Sequence, residues 1–351
     1  MSRGIPILLL LAALLAACGS KTSASKAPTN RALPVGAASV ATSAATATAV
    51  ATPASTATVG GSVIIQDIVG SHPLELALTI KNSADVVFTP NAIAIDKQGR
   101  IYVGDSSSSE GGTILMFDAA GKFLARLPGK YGDGDGQFNY ITSLALDSQG
   151  NLYATDFENL RVQKFNSSGT FLAKIATEAP VGPVGVAVDT QGNIYVTNHR
   201  THDHYVQKFD SAGHLSVAWG SNGSGDGQFL GAGNNGPDQI ALGPHGNVYV
   251  TDPLNSRIQK FDPNGTFLAA IGSHGDQPGQ FSQGPYGLAV DTQGNIYASD
   301  LAGSIQKFDS SGHVLSKWRV GGQSRLVEVD AEGNIYIKNF PESSVEKFRQ
   351  R

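Results

Sequence analysis

Asp189-Thr190-Gln191-Gly192-Asn193-Ile194-Tyr195-Val196-Thr197-Asn198 closes an apolar run on an acid, turns through a glycine and continues as an alternating strand that ends on an Asx residue. Five further stretches repeat it around a tyrosine: RIYVGD at Tyr102, NLYATD at Tyr153, NVYVTD at Tyr249, NIYASD at Tyr297 and NIYIKN at Tyr336. One unit is written six times. A unit that cannot bury its own apolar face must stack on its neighbours, so this periodicity sets the architecture before any residue is given a role. It also sorts the residues. Those that recur in every unit serve the scaffold, and a site built once stands out as a departure.

Working outward from the tyrosine, each unit reads as four short strands. The first runs are AIAID (Asp96), LALD (Asp147), GVAVD (Asp189), QIALG (Gly243), GLAVD (Asp291) and LVEVD (Asp330), short and apolar enough for inner strands. The second passes through the tyrosine, the third is RVQKF or RIQKF in the clearest units, and the fourth reads FLARL, FLAKI, SVAWG, FLAAI or VLSKW. Four-stranded antiparallel units whose tyrosines recur every 39 to 54 residues predict propeller blades. The sixth unit stops after VEKF (Val345 to Phe348) with no fourth strand left before Arg351. LELALTIK (Leu74 to Lys81) stands where a fourth strand would precede the first unit, and pairing the two ends would hide both exposed edges. The expected fold is all-β: a six-bladed β-propeller over residues 62–351, closed by an N-terminal strand.

The chain resembles the NHL-repeat family of β-propellers. The likeness rests on Gly-Asp-Gly-Gln-Phe at Gly134 to Phe138 and Gly225 to Phe229, and on Pro-Gly-Gln-Phe at Pro278 to Phe281. It rests also on the Asp-x-x-Gly-Asn-Ile-Tyr-Val-Thr core and on Asn-x-Arg-Ile/Val-Gln-Lys-Phe at Asn159 to Phe165 and Asn255 to Phe261. It covers roughly residues 74–351 and is weakest in the units of Tyr102 and Tyr336, where the ring closes. The resemblance implies a rigid ring whose variable loops surround a channel mouth, with function there.

The ends have a different composition. Residues 1–17 carry Arg3, an apolar run from Ile5 to Ala17 broken by Pro6, and small residues at the end, the outline of a signal peptide. The run is too short for a membrane span, which needs about 20 apolar residues. Cys18, the sole cysteine, follows Leu15-Ala16-Ala17 and resembles the lipobox cysteine of bacterial lipoproteins, which implies that it is acylated and becomes the first mature residue. Residues 18–61 are almost all Ala, Thr, Ser, Gly, Pro and Val, and read as a disordered tether with a root-mean-square reach of about 35 Å. The expectation is an extracytoplasmic, membrane-anchored lipoprotein, monomeric, touching the membrane through its lipid alone. A net charge of −4 spread through the repeats gives no nucleic-acid surface.

Departures from the repeat mark the candidate site. The first inner-strand position differs in every unit: Asn91, Thr142, Val184, Asp238, Tyr286 and Arg325. Asp238, Tyr286 and Arg325 combine an acid, an amphipathic ring and a guanidinium, which suits a polar ligand: protein, peptide or carbohydrate. The loop Asn198 to Tyr205 holds His199, His202 and His204, a set that would suit zinc with an open position, with His274 able to join from a loop of the same face; the metal expected there is zinc or calcium. Tyr205 of that loop is a further ligand candidate. The alternative function is accordingly a metal-dependent lyase or lactone hydrolase; no catalytic residue is assigned. Glu328 replaces the alanine of other inner strands, and Lys338 is expected to neutralise it. The recurrent Asx residues at the second-strand ends are read as bonding their own loops. No Gly-x-Ser-x-Gly or His-Glu-x-x-His occurs.

Overall fold

The computed structural model describes residues 66–69 and 73–351, apart from 84–85, 106–111, 128, 178–181, 200–204, 232–234, 322 and 341. Six four-stranded antiparallel sheets follow one another, each ordered from an inner to an outer strand. The inner strands are Pro90–Ile95, Leu144–Leu146, Pro183–Val188, Ile240–Leu242, Pro285–Val290 and Val327–Val329. Each touches the next, and the last touches the first, so the ring is closed around a channel. Closure is made as expected: Leu74–Ile80 pairs antiparallel with Ser344–Gln350, from Leu74 opposite Gln350 to Ile80 opposite Val345, with a one-residue shift of register between Leu76 and Leu78. An addition the repeat did not announce is a fifth strand, Gln66–Val69, on the outer edge of the fifth blade against Val314–Arg319.

The second strands are buried along almost their whole length because neighbouring blades cover both of their faces. All six repeat tyrosines are fully buried there, and five of them, Tyr102, Tyr153, Tyr195, Tyr297 and Tyr336, donate the hydroxyl to the Asp that ends the first strand, whereas the fourth blade has Gly243 at that position. In the third blade Tyr195 points at Asp189, which organises the turn: its Oδ1 accepts from the amides of Gln191 and Asn193, and its Oδ2 from the Asn193 side chain and the tyrosine hydroxyl. Gly192 completes that turn at φ +83°, where a Cβ would be strained. The lysine of the QKF strand lies over the same ring, at 5.0 to 5.4 Å in the second to fifth blades (Lys164, Lys208, Lys260, Lys307), a cation–π contact that gives the repeated lysine a structural role.

The Gly-Gln-Phe loops explain themselves as wedges. Phe138, Phe229 and Phe281 are wholly buried and pack on the QKF phenylalanines Phe165, Phe261 and Phe308 at 5.6 to 6.0 Å. In the second blade buried Asp156 accepts from Asn159, Arg161 and Gln163, while Arg161 also donates to the carbonyls of Asp133, Gly134 and Gln137. The fourth blade repeats the pattern with Asp252, Asn255, Arg257 and Gln259. The second-strand Asx residues are therefore scaffold, not an acidic ring.

Candidate functional site

The face that carries the second-to-third loops also carries the starts of the inner strands, so the variable positions converge there. A cavity of about 210 Å³ opens at the channel mouth. Asn91, Thr142, Val184, Asp238 and Arg325 line it, five of the six first inner-strand positions singled out in the sequence. The sixth, Tyr286, stacks under the guanidinium of Arg325, its ring centroid 4.4 Å from Cζ. Tyr140, Phe157, His199 and Lys338 complete the rim.

Asp238 is the acid of the site. It is only 6 % exposed, Arg325 approaches its Oδ2 at 3.9 Å, and the Gln239 amide reaches its Oδ1 at 3.5 Å. Burial outweighs both partners and pushes its carboxyl up to about 6, so it exchanges a proton near neutral pH. Lys338 shares the rim, donating to Asn91 Oδ1 at 3.4 Å, and burial with the charge of Arg325 lowers its ammonium below the usual lysine range.

Two expectations need correction. Lys338 does not neutralise Glu328. In the register Glu328 faces Tyr336, two residues along from Lys338, which places the lysine at the mouth and the glutamate deeper in the channel. Alanine, leucine and valine side chains surround Glu328, and loss of bulk water pushes its carboxyl up to about 8, although part of the residue still meets the channel space. Tyr205 is not a mouth residue. It occupies the third-strand position held by Arg161 and Arg257 in other blades, is 3 % exposed, and packs edge-on against Phe229 at 6.1 Å. Its backbone carbonyl accepts from the Asn198 amide, which fixes that placement.

Of the three loop histidines, His199 lies on the mouth wall beside Phe157, with ring centroids 6.3 Å apart. His202 and His204 lie outside the described residues, as does Cys18. His274 is exposed, with Nδ1 3.5 Å from Ser256 Oγ, and is not part of the mouth wall. Among the described residues no three His, Cys, Asp or Glu side chains gather as a metal set. Sequence reasoning missed Tyr140 and Phe157. Phe157 had a usable signal: the residue after each second-strand Asx is Ser106, Phe157, His199, Pro253, Leu301 or Phe340, variable directly after a repeated one.

Two larger clefts, about 730 and 860 Å³, lie at the opposite face between the Asp-x-x-Gly turns. Their carboxylates, among them Asp147, Asp189 and Asp291, are already engaged by turn amides, asparagine side chains and tyrosine hydroxyls. They are scaffold surfaces.

Fold and repeat together define the class: a six-bladed β-propeller that carries NHL repeats, the NHL repeat family matching residues 138–165 and 181–209. Among curated proteins, "Protein brain tumor" of Drosophila melanogaster is 30% identical over 139 residues, 39% of this chain. This chain matches 12% of that relative's length. A structure of virginiamycin B lyase from Staphylococcus aureus, a catalytically inactive variant with quinupristin, superposes at TM-score 0.55 and 13% identity over 80% of this chain and 88% of that one. A protein of unknown function from Bacteroides thetaiotaomicron superposes at TM-score 0.59 and 17% identity, over 80% of this chain and 77% of its own. These likenesses establish the fold.

Proposed function

We propose that this chain is an extracytoplasmic, lipid-anchored NHL-repeat propeller that works as a binding module, taking a protein, peptide or carbohydrate ligand at its channel mouth. One observation carries the reading: the scaffold consumes the repeated polar residues in its own loops, whereas the variable ones meet in one cavity. The signal peptide of residues 1–17, acylation at Cys18 and the tether of residues 18–61 rest on sequence alone and complete the proposal. They place the ring clear of the membrane, with the propeller at residues 62–351 as the recognising part.

The full chain in detergent, screened against glycan and peptide panels, is expected to bind ligands whose affinity falls at least tenfold in Arg325→Ala, with Cys18→Ser losing acyl label and leaving the membrane fraction. Panel binding unaffected by Arg325→Ala would move the site off the mouth. A Cys18→Ser chain that stays in the membrane would remove the lipid anchor.

A further inference from the structure

The channel mouth holds more positive charge than its own residues satisfy. Arg325 has Asp238 at 3.9 Å, but among the described residues Lys338 has no carboxylate within the 4.0 Å of an ion pair. Its hydrogen bond to Asn91 is long, and it stands close enough to Arg325 for the two charges to repel. A desolvated ammonium beside a guanidinium is an unfavourable arrangement, and an incoming anion relieves it. Asp238 limits which anion: a dianion such as phosphate would meet its carboxylate, whereas a single carboxylate that also carries hydroxyls suits two cations and one acid. The remaining wall fits the same ligand. Asn91 and Gln239 offer amide donors and acceptors, Tyr140 and Phe157 offer ring faces, and about 210 Å³ is of the order of one sugar ring.

We propose that the mouth binds a uronic acid, the carboxylate held by Lys338 and Arg325 and a ring hydroxyl donating to Asp238. This deepens the binding reading above and rests on it.

Titration calorimetry on the full chain in detergent tests it with D-glucuronate, its methyl ester, D-glucose, N-acetylalanine and inorganic phosphate as probes. Glucuronate is expected to bind at least tenfold more tightly than any of the others. Lys338→Met should erase that tenfold preference and Lys338→Arg retain most of it, while Lys208→Met, which changes a lysine on a blade's third strand, should leave it intact. Glucose or the ester binding as well as glucuronate, or a preference surviving Lys338→Met, would overturn the charge assignment and leave the binding module standing. N-acetylalanine matching glucuronate would overturn the sugar in favour of a peptide-like carboxylate, and phosphate leading the series would mark a plain anion site. Silence from every probe overturns the uronic acid, whereas the binding reading itself falls only if the glycan and peptide panels are silent as well.

Discussion

Glu328 shows at the scale of one side chain how a departure from the repeat costs stability. Alanine stands at the equivalent inner-strand position in the other five blades, and burial in the channel disfavours the charged form of the carboxyl that replaces it. Because the folded chain holds this proton up to about pH 8 and the unfolded chain releases it at the ordinary glutamate range, the unfolded state binds fewer protons between those values. Stability therefore falls as pH rises through that window, and the loss is complete above it. Glu328→Gln should match the parent at pH 4 and be more stable by about 2 kcal/mol at pH 9, below the full conversion of the shift because channel water screens the charge. Thermal unfolding at the two pH values measures it, and an equal Tm difference at both would remove the buried-charge account. Asp238, with its carboxyl at about 6, loses stability in the same direction, but it is common to both chains and cancels in the difference.

The blade's latch is where local charge balance can be read across elements. Where the third strand begins with arginine, in Asp156–Arg161 and Asp252–Arg257, the second-strand end is an acid. Where it begins with Tyr205, that end is the neutral Asn198, and Asn339 similarly meets Ser344 and donates to Glu346. In the fifth blade Ser304 takes the arginine's place, and Lys317 from the outer strand reaches the loop carbonyls of Asp276 and Gln277 instead. Removing Arg161 leaves Asp156 buried without its cation and takes a hydrogen bond from each of three loop carbonyls, of which Gly134 keeps the Gln137 amide and Gln137 keeps the Gln163 side chain, so Arg161→Ala should cost about 3–5 kcal/mol in urea unfolding. Arg100→Ala, at a partly exposed turn pair with Asp96, should cost less than about 1 kcal/mol, and equal losses would contradict the latch. These latches show what was legible. The repeated Asp, Arg, Gln and Phe announced a scaffold because one local geometry was required again and again. The mouth was legible wherever counting along an inner strand sufficed, as for Asp238 and Arg325. It was not where strand register decides: Lys338 and Glu328 are both odd residues of one blade, but a two-residue offset sends one to the rim and the other into the channel. Tyr205 misled because it follows the histidine loop, while its place in the ladder is that of a buried latch residue.

For the whole molecule the decisive element is the strand that arrives from the other end of the sequence. Leu74 and Ile80 are buried against a blade whose other three strands come from the C-terminus, and Val345 and Phe348 lie beneath them. The fifth strand, Gln66–Val69, by contrast, adds to an outer edge of a blade that is already complete. No repeat marks it, since its partner is the outer strand of a unit some 250 residues away in the chain, and loop closure over such a length grows only slowly in entropic cost. A chain beginning at residue 73 should therefore still close its ring, elute as a monomer and unfold in one transition. A chain beginning at residue 83 lacks the closing strand and presents the unpaired edge of Ser344–Gln350 with buried Val345 and Phe348 laid open, a template for pairing with other copies. Size exclusion should show it as oligomer or aggregate, and a synthetic peptide of residues 73–82 added in trans should return it toward the monomer by supplying the missing strand. A monomeric chain from residue 83, indifferent to the peptide, would mean that blade-to-blade packing alone holds the ring and that the closing strand is dispensable.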